Sequence, residues 1–165
     1  MSGEMRIMTR AGKTFYFATL WLHKQVRYDA ALAYNFCRAV DDIADAEPLR
    51  PDRDEYLLQV ARSVSTADPR DKLVQPLIPL LERYPEIVRP LVALVDACRE
   101  DTPALRIHDE CDLERYAHGV AGNVGLIMYP ILGGIVPEGR ALAADLGIAM
   151  QCTNIARDVL EDLKR

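Results

Sequence analysis

At 165 residues, half of them hydrophobic, the chain has the size and composition of one globular domain with a real core. Its formal net charge of −5 disfavours general electrostatic binding of nucleic acid. No run approaches the roughly 18 apolar residues of a membrane span, and the four cysteines, with no C-x-x-C pair and no histidine at ligand spacing, read as free thiols of a reducing cytoplasm.

Strict apolar/polar alternation is nearly absent, whereas apolar residues recur at spacings of three and four, so the expected fold is all-α in a single domain over 1–165. There is no solenoid repeat, Ser/His/Asp set, Walker loop or Gly-rich turn after a strand. The opening MSGEMRIMTRAGK has no apolar stretch of the kind a secretory signal needs. In the aromatic segment that follows, GKTFYFATLWL, Lys13 either reaches an anionic group such as a diphosphate or is a surface lysine ahead of a core helix.

A helix is expected over 26–46, stopped by Glu47 and Pro48 because proline cannot continue it. Within it Tyr34, Arg38, Asp41 and Asp45 step by four, three and four and therefore share one face, while Phe36, Val40 and Ile43 cover the rest. Aspartates one turn apart repel, and Asp is a poor residue inside a helix. The stripe is either a solvated face or the lining of a polar cavity, and Tyr34 is correspondingly a hydrogen-bonding group at that cavity or a core tyrosine. Surface stripes are normally mixed Lys and Glu; this one is short Asp with one Arg and one Tyr.

Residues 51–66 read as an amphipathic helix, and Asp68-Pro69 as the cap and first residue of the next. Pro76, Pro79, Pro85 and Pro90 break the following region into short pieces, and 91–101 is helical again. Asp96 and Asp101 have no stripe around them and read as structural or solvated. Over 109–134 one long helix is expected, with a small-residue face of Gly119, Ala121, Gly122 and Gly125. Glycines inside a helix cost about 1 kcal/mol each against alanine, so several together mark close approach, by another helix backbone or by a ligand chain.

Pro137 opens the last helix, in which Ala143, Gly147 and Met150 continue a small-residue face. A second polar stripe follows, Gln151, Asn154, Asp158, Asp162 and Arg165. Two such stripes on separate helices suit oxygen-ligated Mg²⁺ or Mn²⁺ bridging to a diphosphate, because Mg²⁺ is usually held by one or two carboxylates plus waters and substrate phosphates. Arg38 and Arg157 are placed to meet phosphate oxygens directly.

The segments YNFCRAVDDIAD, YAHGVAGNVG and MQCTNIARDVLED, in that order, resemble the squalene and phytoene synthase family, and the resemblance runs from about Lys13 to the last residue. It implies an isoprenoid-synthase-type helical bundle, truncated after the second Asp-rich motif. The activity implied is head-to-head joining of two allylic prenyl diphosphates, farnesyl or geranylgeranyl, through a cyclopropylcarbinyl diphosphate to a squalene- or phytoene-type hydrocarbon. NADPH would be needed only for squalene. By the same resemblance Asp41, Asp45, Asn154, Asp158 and Asp162 hold the metal, and Tyr34, Arg38, Tyr116 and Arg157 serve the chemistry. Lys13 and Phe15 flank the substrate, Val120, Ala121, Val124 and Gly125 form the wall of a prenyl tunnel, and Gly147 and Gln151 extend it. The family often has serines where this chain has Gly12 and Thr14, and it tends to carry acids at the positions of Asp96 and Asp101.

Family members normally run on for roughly a hundred residues past the second motif, so a homo-oligomer, or a second chain supplying the missing helices, is expected. A cytoplasmic location is expected, with peripheral membrane contact left open because a hydrocarbon product leaves into lipid. Rival readings are a terpene cyclase or head-to-tail prenyltransferase, which share the carboxylate logic, and a non-catalytic subunit that binds a partner or a prenyl lipid.

Overall fold

The structure is a computed structural model that describes residues 17–18, 21–46, 50–102 and 104–162, the side chains of 160–162 excepted. Lys13, Phe15, Gly12, Thr14, Glu47, Pro48, Arg165 and the side chain of Asp162 thus lie outside the described residues. Among those described, every regular element is helical, and no helix is long and apolar enough to cross a membrane.

Helix α1 spans Lys24–Ala44 and ends where Asp45 takes a non-helical backbone, its amide still bonded to the Asp41 carbonyl. Helix α2, Arg53–Thr66, stops at Ala67 in the left-handed conformation (φ 49°), a position that usually favours glycine. The expected helix start at Asp68-Pro69 is not there. Asp68 instead closes a turn by accepting from the Arg70 amide (3.0 Å), and Asp71 accepts from the Leu73 amide (2.9 Å). Short polar side chains at these places compete with the helical ladder, which is why helix resumes only later.

The proline-rich stretch breaks up as its sequence requires. A 3₁₀ turn at Gln75–Leu77 leads into α3, Ile78–Arg83, and a second at Pro85–Ile87 leads into α4, Val88–Glu100. Helix α4 is the central post. It packs on α1, on α2 and on the later helices, and its Leu91, Leu94 and Val95 meet Phe36 and Val40 of α1 and Leu57, Val60 and Val64 of α2 in one contiguous core.

The expected single helix over 109–134 is three segments. Asp109 caps α5, Glu110–Ala117, by accepting from the Asp112 amide. A π turn, His118–Gly122, follows, with the Asn123 amide reaching the His118 carbonyl five residues back. Then comes α6, Asn123–Ile131. The buried Asn123 side chain donates to the Gly119 carbonyl (2.9 Å), satisfying an acceptor that the wider turn would leave over. Helix α7, Pro137–Asp162, is about 39 Å long at 1.5 Å per residue and packs its first half along the π turn and α6.

Candidate active site

The second half of α1, the second half of α4, the α5–π–α6 run and the middle of α7 surround a cleft of about 390 Å³. Tyr34, Arg38, Asp41 and Asp45 all line it, so the first stripe is the wall of an open cleft, with Arg38 and Asp45 exposed at it. From the other side come Leu94, Cys98 and Asp101 of α4, and Tyr116, Val120 and Val124 of the α5–π–α6 run. Gln151 closes it from α7. The cleft therefore combines three carboxylates with aliphatic lining.

The electrostatics are those of crowded acids. Arg38 forks between Asp41 (2.9 Å) and Asp42 (2.8 Å), both pairs about half exposed. Even so, burial pushes the Asp41 carboxyl above its ordinary value, with repulsion from Asp45 next in size. Asp45 is raised as well, by burial and then by Asp101. Burial also raises the Tyr34 phenol. The Tyr116 hydroxyl donates to Asp101 (3.0 Å); burial and then that carboxylate push its phenol well up, so it stays a donor at neutral pH. Behind the acids the thiols of Cys37 and Cys98 are pushed up to about 12, each chiefly by burial.

Polar spacing reads Asp101 as structural or solvated because it belongs to no stripe, and only the family's tendency to carry an acid there marks the position. It sits at the C-terminal cap of α4, where the backbone turns extended (φ −73°, ψ 101°), and so escapes helical periodicity. Nothing in the spacing of polar residues links it to Tyr116, fifteen residues on. Asp96, the other isolated acid of that helix, stays outside the cleft, with an ion pair to Arg99 at 3.7 Å.

The glycines are placed differently from the tunnel wall expected of them. A Cβ on Gly125 would collide with the Ala143 carbonyl, and one on Gly147 with the Ala121 carbonyl. One on Gly119 would come within 2.8 Å of the Ala97 Cβ. Gly125, Gly147 and Ala121 thus serve close packing of α7 on α6 and the π turn, and the space left by the missing side chains is filled by backbone. Of the expected wall, Val120 and Val124 do face the cleft.

The second stripe is not gathered into the same cleft beyond Gln151. Asp158 lies seven residues on, nearly the same side of α7 but about 10.5 Å further along, past the lip; Arg157 pairs with it at 2.6 Å. Asn154 is rotated about 60° from Gln151 and lines a separate shallow hollow with Leu146 and Met150. Among the described residues no three of the His, Cys, Asp and Glu side chains form a metal cage. The donor set nonetheless fits Mg²⁺, which takes hard oxygens, needs only one or two carboxylates and fills its shell with water and phosphate. The like charges of Asp41, Asp45 and Asp101 are the local feature that such a cation would relieve.

A bundle of helices with an acid mouth on a partly aliphatic cleft is the all-α isoprenoid-synthase fold. The structure superposes on a dehydrosqualene synthase in complex with ligand with a TM-score of 0.85 at 30% identity, over 98% of this chain and 57% of that one. The fold is also that of squalene synthase HpnC from Alicyclobacillus acidocaldarius (TM-score 0.82, 23% identity, 98% of this chain and 64% of that one). The chain belongs to the squalene/phytoene synthase family, whose model matches residues 8–165. Phytoene synthase of Thermus thermophilus is 34% identical over 161 residues, 98% of this chain and 55% of the relative. Phytoene synthase 1 (chloroplastic) of Arabidopsis thaliana is 34% identical over 166 residues, 93% of this chain and 38% of the relative. The chain therefore spans about half the length of such relatives, or less.

Proposed function

We propose that this chain carries the first acidic site and part of the prenyl channel of an enzyme that condenses two allylic prenyl diphosphates, farnesyl or geranylgeranyl, head to head to a squalene- or phytoene-type hydrocarbon. The observation that carries this reading is the cleft itself, which Arg38, Asp41, Asp45 and Asp101 line together with Leu94, Val120 and Val124. A diphosphate is anionic and its prenyl tail is not, so a substrate of that kind matches a cleft that combines a cation-binding acidic set with aliphatic lining.

Asp41 and Asp45 would hold Mg²⁺ or Mn²⁺ beside Asp101, water and phosphate completing the shell, with Asn154, Asp158 and Asp162 of α7 proposed as the second ligand row. When bound, the metal supplies neutralising charge to a departing diphosphate. Arg38, already aligned by Asp41 and Asp42, offers a planar fork to phosphate oxygens, and Arg157 is proposed for the same task. Tyr34 and Tyr116 keep their protons at neutral pH, so they serve as hydrogen-bond donors at the mouth and not as bases. The aliphatic wall excludes water from a developing carbocation and presents no nucleophile to it. NADPH enters only if the product is squalene.

The outer face of α7 carries exposed Leu142, Leu146 and Met150, each more than 60% accessible. That face supports a homo-oligomer or a second polypeptide completing the bundle. A cytoplasmic protein with peripheral membrane contact fits an apolar product. The test is Mg²⁺-dependent pyrophosphate release from each diphosphate, with products identified by mass spectrometry and with Asp41→Ala and Asp158→Ala as controls. Release of pyrophosphate with a linear C30 or C40 product, lost in both variants, is expected. A cyclic product from one substrate would replace the reading by a terpene cyclase, and no release by a binding subunit.

A further inference from the structure

Arg53 is the first residue of α2 and is 4% exposed. A cation at a helix N-terminus opposes that helix's own dipole, so its burial there has a cause elsewhere. All five of its N–H donors are used. Nε donates to the Ala44 carbonyl (3.1 Å) and Nη1 to the Arg99 carbonyl (2.9 Å) and the Asp54 carboxylate (2.8 Å). Nη2 donates to the carbonyls of Cys98 and Asp101, both at 2.6 Å. One guanidinium therefore binds the C-terminal carbonyls of α1 and of α4 together, the negative ends of two helices, where a cation belongs.

These two helix ends are the ones that bear Asp41 and Asp45 on one side and Asp101 on the other. Asp101 has its amide bonded to the Ala97 carbonyl (3.0 Å), its own carbonyl held by Arg53 and its carboxylate held by Tyr116. We propose that Arg53 is a positioning residue of the acidic mouth, setting Asp101 opposite Asp41 and Asp45 by clamping both helix ends at once. The role in catalysis rests on the reading of the cleft as a diphosphate site; the clamp itself does not. Planar, five-donor geometry is the requirement, which lysine with three donors cannot meet.

The test places 3-fluorotyrosine at position 116 and reads its ¹⁹F resonance in the wild type, Arg53→Lys, Arg53→Met and Val60→Ala. Asp101→Ala marks the resonance of a phenol that has lost its acceptor. Val60 is buried in α2 and makes none of the clamp's hydrogen bonds, so Val60→Ala reports what loosening of α2 does by itself. Both Arg53 variants are expected to move the resonance toward the Asp101→Ala position, with Val60→Ala unchanged at a similar loss of Tm. In unlabelled protein, Arg53→Lys is expected to raise the Mg²⁺ concentration for half-maximal pyrophosphate release about tenfold or more, as loss of an outer support does for a metal site. If Arg53→Met fails to fold, Arg53→Lys decides. A wild-type resonance in Arg53→Lys, or a shifted resonance with an unchanged Mg²⁺ requirement, overturns the proposal. No pyrophosphate release from the wild type would count against the diphosphate reading, while the fluorine shift still decides the clamp.

Discussion

The Tyr116 hydroxyl donates to the Asp101 carboxylate across 3.0 Å, tying the end of α4 to α5 at the rim of the cleft. The bond fixes the one acid of the mouth that does not come from α1. Asp101 stands beside the proposed metal ligands Asp41 and Asp45, so Asp101→Ala is expected to lower Mg²⁺-dependent pyrophosphate release by about 10–100-fold and to raise the Mg²⁺ requirement, as loss of an outer-shell carboxylate does. Tyr116→Phe, which removes a donor but leaves the carboxylate, gives a smaller loss. Steady-state rates over a Mg²⁺ titration check the order of the two effects.

Asp41 is raised above its ordinary value of 3.8 by burial and by Asp45. The folded protein therefore binds this proton more tightly than the unfolded chain does. Stability that is present below the ordinary value is lost as pH climbs through the raised one, and above it the ionised cluster is a net cost. Asp41→Asn is accordingly expected to raise Tm at pH 7 in metal-free buffer, with the gain vanishing as pH falls toward 3.8. Added Mg²⁺ raises the wild-type Tm at pH 7 more than that of the variant. Differential scanning calorimetry across pH, with and without the cation, measures both.

Glycine to alanine inside a helix ordinarily stabilises by about 1 kcal/mol. At Gly125 and Gly147 the added Cβ meets a backbone carbonyl of the neighbouring helix segment, and a carbonyl cannot swing aside as a side chain does. Each substitution is expected to destabilise by about 1–3 kcal/mol, the usual range for overpacking. Urea unfolding gives the sign directly, and a gain in stability at either position would return that glycine to an open channel.

With their thiols at about 12 against an ordinary 9.0, Cys37 and Cys98 expose roughly a thousandfold less thiolate at a given pH than an unshifted cysteine. Cys111 is exposed. Thiol titration of the native protein at pH 8 is expected to modify Cys111 quickly and to reach Cys37 and Cys98 only on unfolding, with peptide mass mapping to assign each site.

The order of helices and the first stripe were legible from sequence because both depend on local periodicity. Tyr34, Arg38, Asp41 and Asp45 share a face at the α-helical pitch of about 3.6 residues per turn, which shows that the face exists but not what it faces. The prolines between residues 76 and 90 likewise dictate short segments through the backbone of their own residues. The false start at Asp68-Pro69 shows the limit, since the same Asp that caps a helix also closes a turn and only its neighbours decide which.

What the tertiary structure alone decided is which gaps are filled and which helix ends meet. The glycine face was compatible with a helix or a ligand chain, and packing of α7 against Ala121 and Gly125 resolves it in favour of the helix, because contact across 20 or so residues leaves no trace in the spacing of either segment. Asp101 and Arg53 lie at helix ends, where periodicity stops. Tyr116 is brought to Asp101 from α5, and the carbonyls of residues 44, 98, 99 and 101 are brought to Arg53 by the meeting of α1, α2 and α4, contacts that no local spacing announces.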